Sequence, residues 1–281
     1  MPASASPASA TQAAEGAGVR RTPAIASMTA PALSLTPLPG LPPIRPGDDL
    51  AALIAAALER AGLVLADGDV LAVTQKIVSK AEGRLRRLAD VQPSARAQAL
   101  AAETRKDPRL VELILQESTA ILRTRPDLLI AEHRLGIVLA NAGIDRSNLG
   151  GDDETVLLLP EDPDASATRL RQALQQASGA RLGVIITDSV GRAWRRGTVG
   201  IAIGTAGVAP FTDLRGHQDL AGRPLQVSEI APADSLAAAA VLVMGEAAEG
   251  RPVVLLRGAG GGGADTPARV VLRPRAEDLF R

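Results

Sequence analysis

Two lysines in the segment TQKIVSKAEG, residues 74–83, directly follow the apolar stretch VLAV and could neutralise phosphate groups. Lys76 and Lys80 lie just beyond a predicted strand, together with the hydroxyls of Thr74 and Ser79. Cations and small hydroxyls at such a position suit a phosphate tail. The segment has no P-loop pattern. Spacing alone therefore favours the alternative, an ordinary passage from strand to loop with solvated lysines.

The segment NAGIDRSN, residues 141–148, could hold a hard cation. Asp145, Ser147 and Asn148 place oxygen-bearing side chains within a short stretch, and carboxylate, hydroxyl and amide oxygens are the ligands that Mg²⁺ or Mn²⁺ takes. The alternative is an Asx-turn, in which Asp and Asn bond their own backbone. The two readings are equally well supported by this segment alone.

The segment IITDSVGR, residues 185–192, places Asp188 at the end of a strongly apolar run. Burying a carboxylate there is costly unless it is paired or bound to a metal. Arg192, Arg195 and Arg196 follow it, and a carboxylate for a cation beside guanidinium groups for anions is the combination used in phosphoryl transfer. The pattern favours a functional site over the alternative, in which Asp188 only caps an element or pairs with an arginine.

The segment MGEAAEGR, residues 244–251, carries Glu246 and Glu249 three positions apart, which predicts one shared helix face near a helix C-terminus. Carboxylates there oppose the helix dipole. This indicates a bound metal or an arginine partner, with a solvated helix end as the alternative. The glycine run at 258–263 lacks the lysine and hydroxyl residue of a P-loop and predicts a flexible loop.

Composition excludes several classes of protein. The 281 residues include no cysteine and two histidines, which excludes disulfides, thiolate metal sites and cysteine nucleophiles and argues against a histidine-rich zinc site. The net charge of zero and the three aromatic residues argue against a nucleic-acid binder. The longest apolar runs have nine residues, too few to span a membrane. The N-terminus has no signal-peptide pattern, so we predict a cytoplasmic protein.

Hydrophobic patterning predicts a mixed α/β chain in which helices and strands do not alternate strictly. Residues 1–32, rich in Ala, Ser, Thr and Pro, predict a disordered tail before a folded region at 33–281. An acidic N-cap at Asp48 or Asp49 starts the first helix, and Asp164 or Ser166 is predicted to cap a later one. Helices are predicted at 50–60, 94–104, 108–118, 164–177 and 234–248, and strands at 70–74, 136–140, 155–159, 182–187 and 253–256.

Several motifs in a fixed order carry a family resemblance that runs from about Leu35 to Arg281. They are VTQKIVSKAEG, ANAGIDRSN, ITDSVGRAWRRGTVGIAIG, DLRGHQDLAGRPLQ, MGEAAEGRPVVLLRG and RPRAEDLFR. Together they closely resemble the coenzyme F420-0:L-glutamate ligases. The resemblance implies a GTP-dependent reaction in which a deazaflavin precursor, coenzyme F420-0, is phosphorylated on its terminal carboxylate. The amine of L-glutamate then attacks the acyl phosphate, and further glutamates can follow through γ-linkages. It also implies an α/β fold with a largely antiparallel sheet in an intertwined homodimer.

The resemblance also assigns roles to residues of this chain. It implies two divalent sites for Mg²⁺ or Mn²⁺, with K⁺ as a further candidate cation, held by Asp145, Asp188 and Glu246, with Ser189 as an additional oxygen ligand. The implied contacts to GTP are Leu41, Pro42, Pro43, Ile44, Gln75, Lys76, Lys80, Asn148, Met244, Gly245, Glu246, Ala247, Ala248, Glu249, Gly250 and Arg251. We add Arg192, Arg195 and Arg196 as candidates for the substrate phosphodiester or the glutamate carboxylates.

Two other functions stay open at this point. One is a metal-dependent ligase that adds glutamate to a different phosphorylated metabolite. The other is a non-catalytic protein that binds a deazaflavin or a nucleotide. The presence of all three acidic positions argues against the second, since a pure binder has no need to polarise a γ-phosphate.

Overall fold

The computed structural model describes residues 32–147 and 154–279. The predicted tail at 1–31 and the predicted contact at Asn148 lie outside them. The strands are β1 (Ser34–Pro37), β2 (Val70–Thr74), β3 (Leu85–Arg87), β4 (Ser118–Arg125), β5 (Leu128–His133), β6 (Val138–Ala140), β7 (Thr155–Leu157), β8 (Gly183–Arg192), β9 (Arg195–Ala206), β10 (Thr212–Asp213), β11 (Glu229–Ile230) and β12 (Val253–Arg257). The α-helices are α1 (Leu50–Arg60), α2 (Gln75–Ala81), α3 (Ala95–Thr104), α4 (Pro108–Gln116), α5 (Pro163–Ser178) and α6 (Pro232–Met244).

A five-stranded sheet forms the centre, in the order β1-β12-β2-β8-β9. Strands β2 and β8 are parallel, and the other neighbours in this sheet are antiparallel. The smaller sheets β4-β5-β6, β3-β7 and β10-β11 are antiparallel throughout. The predicted mixed α/β fold with a largely antiparallel sheet is confirmed.

Both faces of the central sheet are covered because its strands are apolar on both sides. Along β2, Val70 and Ala72 pack against one core and Leu71 and Val73 against another. Helix α6 covers the first face with its alanines, and α1 and α5 cover the second. Helix α1 starts where the sequence predicts, since the carboxylate of Asp49 accepts a hydrogen bond from the Ala52 amide at 3.0 Å. In the described part, no helix combines the length and apolarity needed to cross a bilayer.

A second lobe forms around α3, α4 and the sheet β4-β5-β6, with a core of its own. Leu129 and Ala131 of β5 point into that core, whereas Leu128 and Ile130 lie half-buried on the opposite face. Strands β4 and β5 are absent from the predicted elements. Their sequence, STAILRTRPDLLIAEH, mixes charges with apolar residues. An antiparallel sheet tolerates this mixture because only one of its faces packs against the core, and the other can carry charged side chains.

Several predicted boundaries are wrong. Helix α5 is capped by Asp162, whose carboxylate accepts from Ala165 at 2.9 Å, and not by Asp164 or Ser166. Asp164 instead accepts hydrogen bonds from the backbone amides of Thr205 and Ala268. Residues 75–81 form helix α2 directly after β2 in place of a loop.

The C-terminal end of α6 differs most from the prediction. The helix ends at Met244 because Gly245 has φ +80°, so Glu246 and Glu249 do not share a helix face. Three glycines of the run at 258–263, for which the sequence predicts a flexible loop, are closely packed: Gly258, Gly261 and Gly262. A Cβ at Gly261 would lie 2.4 Å from the carbonyl oxygen of Asp69, and the Gly261 amide donates to the Gly68 carbonyl at 2.8 Å.

A buried ionic cluster joins the second lobe to the segment after α2. Arg84 is 8% exposed and donates to the Leu159 carbonyl, to Glu161 and to Glu117 at 2.8, 2.9 and 2.9 Å. His133 is fully buried, and its Nε2 lies 3.3 Å from the Glu117 carboxylate. Burial by itself would raise the pKa of Glu117, but the hydrogen bond with His133 and the charges of Arg84 and Arg134 outweigh it and lower that pKa to about 2.

We expect this cluster to make stability depend on acid pH. Glu117 has a pKa of about 2 when folded against a usual 4.5, so its contribution is complete above pH 4.5 and is lost as the pH falls towards 2. At 1.36 kcal/mol per pKa unit, that contribution is roughly 3 kcal/mol. Urea unfolding of the parent and of Glu117→Gln between pH 7 and pH 2 measures it. The gap between the two proteins should close with acid; a gap that stays constant would contradict the assignment.

Candidate functional site

The central sheet brings four of the sequence segments to one edge. Strands β2 and β8 are parallel and paired up to Thr74 and Thr187, so helix α2, which follows Thr74, starts beside Asp188 and Ser189, where β8 extends beyond β2. Strand β12 runs in the opposite direction and begins at this edge, where the Pro252 carbonyl accepts from the Thr74 amide at 2.9 Å. Strand β1 ends here too, and the Leu38 amide donates to the Val253 carbonyl at 2.8 Å. Carboxyl ends of parallel strands are where open α/β sheets bind ligands.

A cavity of about 480 Å³ opens between these segments. The loop after β1 supplies Leu41, Pro42 and Pro43, helix α2 supplies Lys76 and Lys80, and the whole stretch from Met244 to Pro252 closes one side. Burial and the neighbouring charge of Lys76 lower the pKa of Lys80. The cavity therefore combines an apolar wall with two ammonium groups.

A second cavity of about 690 Å³ lies next to the first. Its walls come from the end of β8, from the segment containing Asp145, and from the sheet β4-β5-β6 of the second lobe. The residues that line both cavities are Lys76, Asp188, Ser189 and Glu246. These four side chains therefore form the junction through which a group could pass from one bound molecule to another.

Asp145 is held at this junction by its backbone and by its side chain. Its amide and carbonyl form a bridge with Leu157 at 2.9 and 2.8 Å. Its carboxylate accepts from the Lys76 ammonium at 2.7 Å and from the Ser147 amide at 2.8 Å. Burial by itself would raise the pKa of Asp145, but these contacts to Lys76 and Ser147 keep it below its usual value.

Asp188 experiences the opposite balance. Burial, together with the charges of Asp145 and Glu246, raises the pKa of Asp188 to about 7, even though the hydrogen bond from the Ser189 amide and the charge of Lys76 act to lower it. The Ser189 hydroxyl donates to Glu246 at 3.0 Å. Three carboxylates thus lie within electrostatic reach of one another, with Lys76 in salt-bridge contact with Asp145.

This donor set fits a hard cation in its chemistry, because carboxylates and hydroxyls are oxygen ligands and their shared negative charge is incompletely neutralised. Asp145, Asp188, Ser189 and Glu246 would hold it. Among residues 32–147 and 154–279, no three acidic or histidine side chains are already close enough to bind one ion. The three carboxylates share a cavity wall and would have to turn towards an ion on binding it.

Most of the other predicted site residues line one of the two cavities. Leu41, Pro42 and Pro43 line the first, whereas Ile44 packs against the core behind it. Gln75 lines the second cavity and accepts from the Ser79 hydroxyl.

The three arginines proposed for the substrate lie in two different places. Arg192 lines the second cavity, while Arg195 and Arg196 are exposed at the tip of the β8–β9 hairpin and line neither cavity. The sequence analysis missed Arg123 of β4, which lines the second cavity. The sequence signal that could have located it is the alternation of buried and exposed side chains along β4 and β5. Charged residues in both strands obscure that pattern.

Comparisons with known proteins identify the family of this chain. Residues 40–258 match the family F420-0:Gamma-glutamyl ligase. The chain is 47% identical over 251 residues to the coenzyme F420:L-glutamate ligase of Methanothermobacter thermautotrophicus, covering 89% of this chain and 99% of that protein. It is 48% identical over 255 residues to the protein of the same name from Methanopyrus kandleri, covering 89% and 98%. The chain belongs to the F420-0:gamma-glutamyl ligase family.

Proposed function

We propose that this protein is a ligase of coenzyme F420 biosynthesis that joins L-glutamate to coenzyme F420-0, with GTP as the phosphoryl donor. Its relatives in M. thermautotrophicus and M. kandleri carry the name coenzyme F420:L-glutamate ligase. The observation that carries the proposal is the pair of adjacent cavities sharing Lys76, Asp188 and Glu246. A phosphoryl transfer between two bound molecules needs this geometry, because donor and acceptor must lie on opposite sides of one charged centre.

The first cavity is the proposed GTP site. Its apolar wall at Leu41, Pro42 and Pro43 suits the guanine or ribose, and Lys76 and Lys80 face the phosphates. The loop from Gly245 to Arg251 completes the enclosure. Because the pKa of Lys80 is already lowered by burial and by Lys76, an anionic phosphate there would stabilise both ammonium groups.

The reaction proceeds in two balanced steps. A carboxylate oxygen of the acceptor bonds to the γ-phosphorus of GTP, the bond to the β-phosphate oxygen breaks, and GDP leaves. The amine of L-glutamate then bonds to the acyl carbon, phosphate leaves and the amine loses a proton. A bound Mg²⁺ or Mn²⁺ would supply neutralisation of the transferring phosphoryl group. Lys76, between the two cavities, orients the donor and the acceptor.

We propose Asp145, Asp188 and Glu246 as the residues that hold divalent ions, with Ser189 as a further oxygen ligand and K⁺ as an additional candidate. Their support is the shared cavity wall and the crowding of negative charge described above. Asp145 and Asp188 are fixed to different elements, so an ion bound between them would also join the second lobe to the central sheet.

We also propose a homodimer. Leu242 on the largely apolar helix α6 is 85% exposed, and Trp194 at the tip of the β8–β9 hairpin is 87% exposed. Such side chains are typical of surfaces that pack against a partner. The other long apolar run of the sequence, residues 50–58, lies in helix α1. It packs inside the protein and is not a candidate interface, since Leu50, Ile54 and Leu58 are buried. Light scattering of the purified protein would give the mass of the assembly.

The decisive experiment incubates the protein with coenzyme F420-0, L-glutamate, Mn²⁺ and either GTP or ATP. Mass spectrometry should show products heavier by one or more glutamyl units, with GTP preferred. Nucleotide turnover only with a different acceptor would support the other ligase function. Tight binding of deazaflavin without turnover would support a non-catalytic binder.

The variant Lys80→Ala tests the nucleotide site in the same assay. Removing one charge-assisted contact to phosphate should raise the KM for GTP roughly tenfold or more with little change in the KM for glutamate. Lys106→Ala, which removes a lysine that lines neither cavity, is the control. An unchanged KM for GTP in Lys80→Ala would place the triphosphate elsewhere.

A further inference from the structure

The outer wall of the second cavity is a half-exposed face of the sheet β4-β5-β6. Strands β4, β5 and β6 place Arg123 opposite Ile130 and Ile130 opposite Ala140, and paired residues share a face. Leu128 and Val138 lie on this face as well, and Val138 is 40% exposed. The opposite face of the same sheet is buried in the core of the second lobe.

Two arginines from different elements flank this apolar face. Arg123 comes from β4 and Arg192 from the end of β8, and both line the cavity. The acidic residues that line it are Asp145, Asp188 and Glu246, which belong to the junction with the first cavity. The cavity therefore offers an apolar floor, two guanidinium groups and a charged junction where phosphoryl transfer would occur.

We propose that this cavity binds the acceptor, with its planar deazaflavin ring against the face formed by Ile130 and Val138 and its phosphodiester between Arg123 and Arg192. This inference rests on the proposed function and assigns the acceptor to a particular surface. The aromatic ring is complementary to the apolar floor, and the phosphodiester anion is complementary to the two guanidinium groups. The terminal carboxylate would then reach the charged junction. Guanidinium groups hold phosphate oxygens with paired, directional hydrogen bonds, so Arg123 and Arg192 set which acceptors fit.

Binding of the acceptor without nucleotide tests the assignment independently of turnover. Titration followed by deazaflavin fluorescence should show Arg123→Gln weakening the Kd for coenzyme F420-0 by roughly tenfold or more. Arg96→Gln is the control, because Arg96 is an exposed arginine of helix α3 that does not line the cavity. Its Kd should equal that of the parent. Arg123→Lys should restore part of the affinity.

A second ligand separates a recognition role from a structural one. The same deazaflavin lacking its phosphodiester should bind the parent and Arg123→Gln equally, since no anion remains for the arginine to hold. In turnover, Arg123→Gln should raise the KM for the acceptor and leave the KM for GTP unchanged.

Failure of this inference differs from failure of the proposed function. A parent enzyme that adds glutamate, together with an Arg123→Gln variant that binds coenzyme F420-0 as tightly as the parent, would overturn the acceptor site alone. Equal weakening by Arg123→Gln and Arg96→Gln would also overturn it, because it would show a general charge effect. A parent that adds no glutamate would instead overturn the proposed function.

Discussion

Asp188→Asn should lower kcat by about a hundredfold or more while the protein stays folded. Asp188 lines both cavities and is followed by Ser189, whose hydroxyl contacts Glu246. The amide keeps the shape of the side chain but removes a charge that a cation beside the transferring phosphoryl group would need. Losses of about 10²–10³ in kcat are typical when one electrostatic contact to a transition state is removed.

The thermal stability of Asp188→Asn shows whether the loss of kcat comes from lost catalysis or from unfolding. The charges of Asp145 and Glu246 repel an ionised Asp188, so Asp188→Asn removes a repulsion and should leave Tm unchanged or raise it. Glutamyl transfer measured at saturating Mn²⁺, together with thermal unfolding, gives both quantities. Asp90→Asn, at an exposed position outside both cavities, is the control. A kcat for Asp188→Asn equal to that of this control would refute the proposed ion site.

Arg84→Met should lower the free energy of unfolding by about 3–5 kcal/mol, since it removes a buried charge that pairs with the carboxylate of Glu117 at 2.9 Å. Arg84 makes three side-chain hydrogen bonds, to Leu159, Glu161 and Glu117. Methionine fills a similar volume but replaces none of them. For a chain of this size, such a loss corresponds to a fall in Tm of about 10 °C.

A matched surface pair shows whether burial is the cause. Arg181 forms an ion pair with Asp67 at 3.1 Å, but its side chain is 77% exposed. Arg181→Met should therefore cost less than about 1 kcal/mol. Urea unfolding of both variants at pH 7 compares them directly. Equal losses would show that the Arg84 cluster contributes no more than a surface contact.

Arg84 also connects stability to the candidate site. It lies three residues after helix α2, which carries Lys76 and Lys80, and its amide donates to the Ser79 carbonyl at 2.9 Å. Its side chain reaches the second lobe through Glu117. The position of the two lysines relative to Asp145 therefore depends on packing that no short motif contains.

The elements that local patterns specify were predictable. Strand β2 matches its predicted bounds, and α1, α3 and α4 begin within two residues of them, because apolar periodicity and acidic or serine caps act within a few residues. The predicted end of α6 was too late, because EAAE at 246–249 is a good helical sequence and outweighed the stop signal of Gly245. The backbone turn at Gly245 overrides it.

The residue types and their order specify the chemistry available to this protein: no thiols, three candidate carboxylates, two lysines after a strand, and motifs whose order resembles one ligase family. Which of these groups meet depends on how the strands pair. The parallel pairing of β2 and β8 brings the residues that follow Thr74 and Thr187 to one edge, and a backbone bridge to Leu157 holds Asp145 there. The acceptor wall with Arg123 depends on contacts between strands. Local patterns record the preferences of neighbours in the chain, whereas a cavity is formed by residues that only folding brings together.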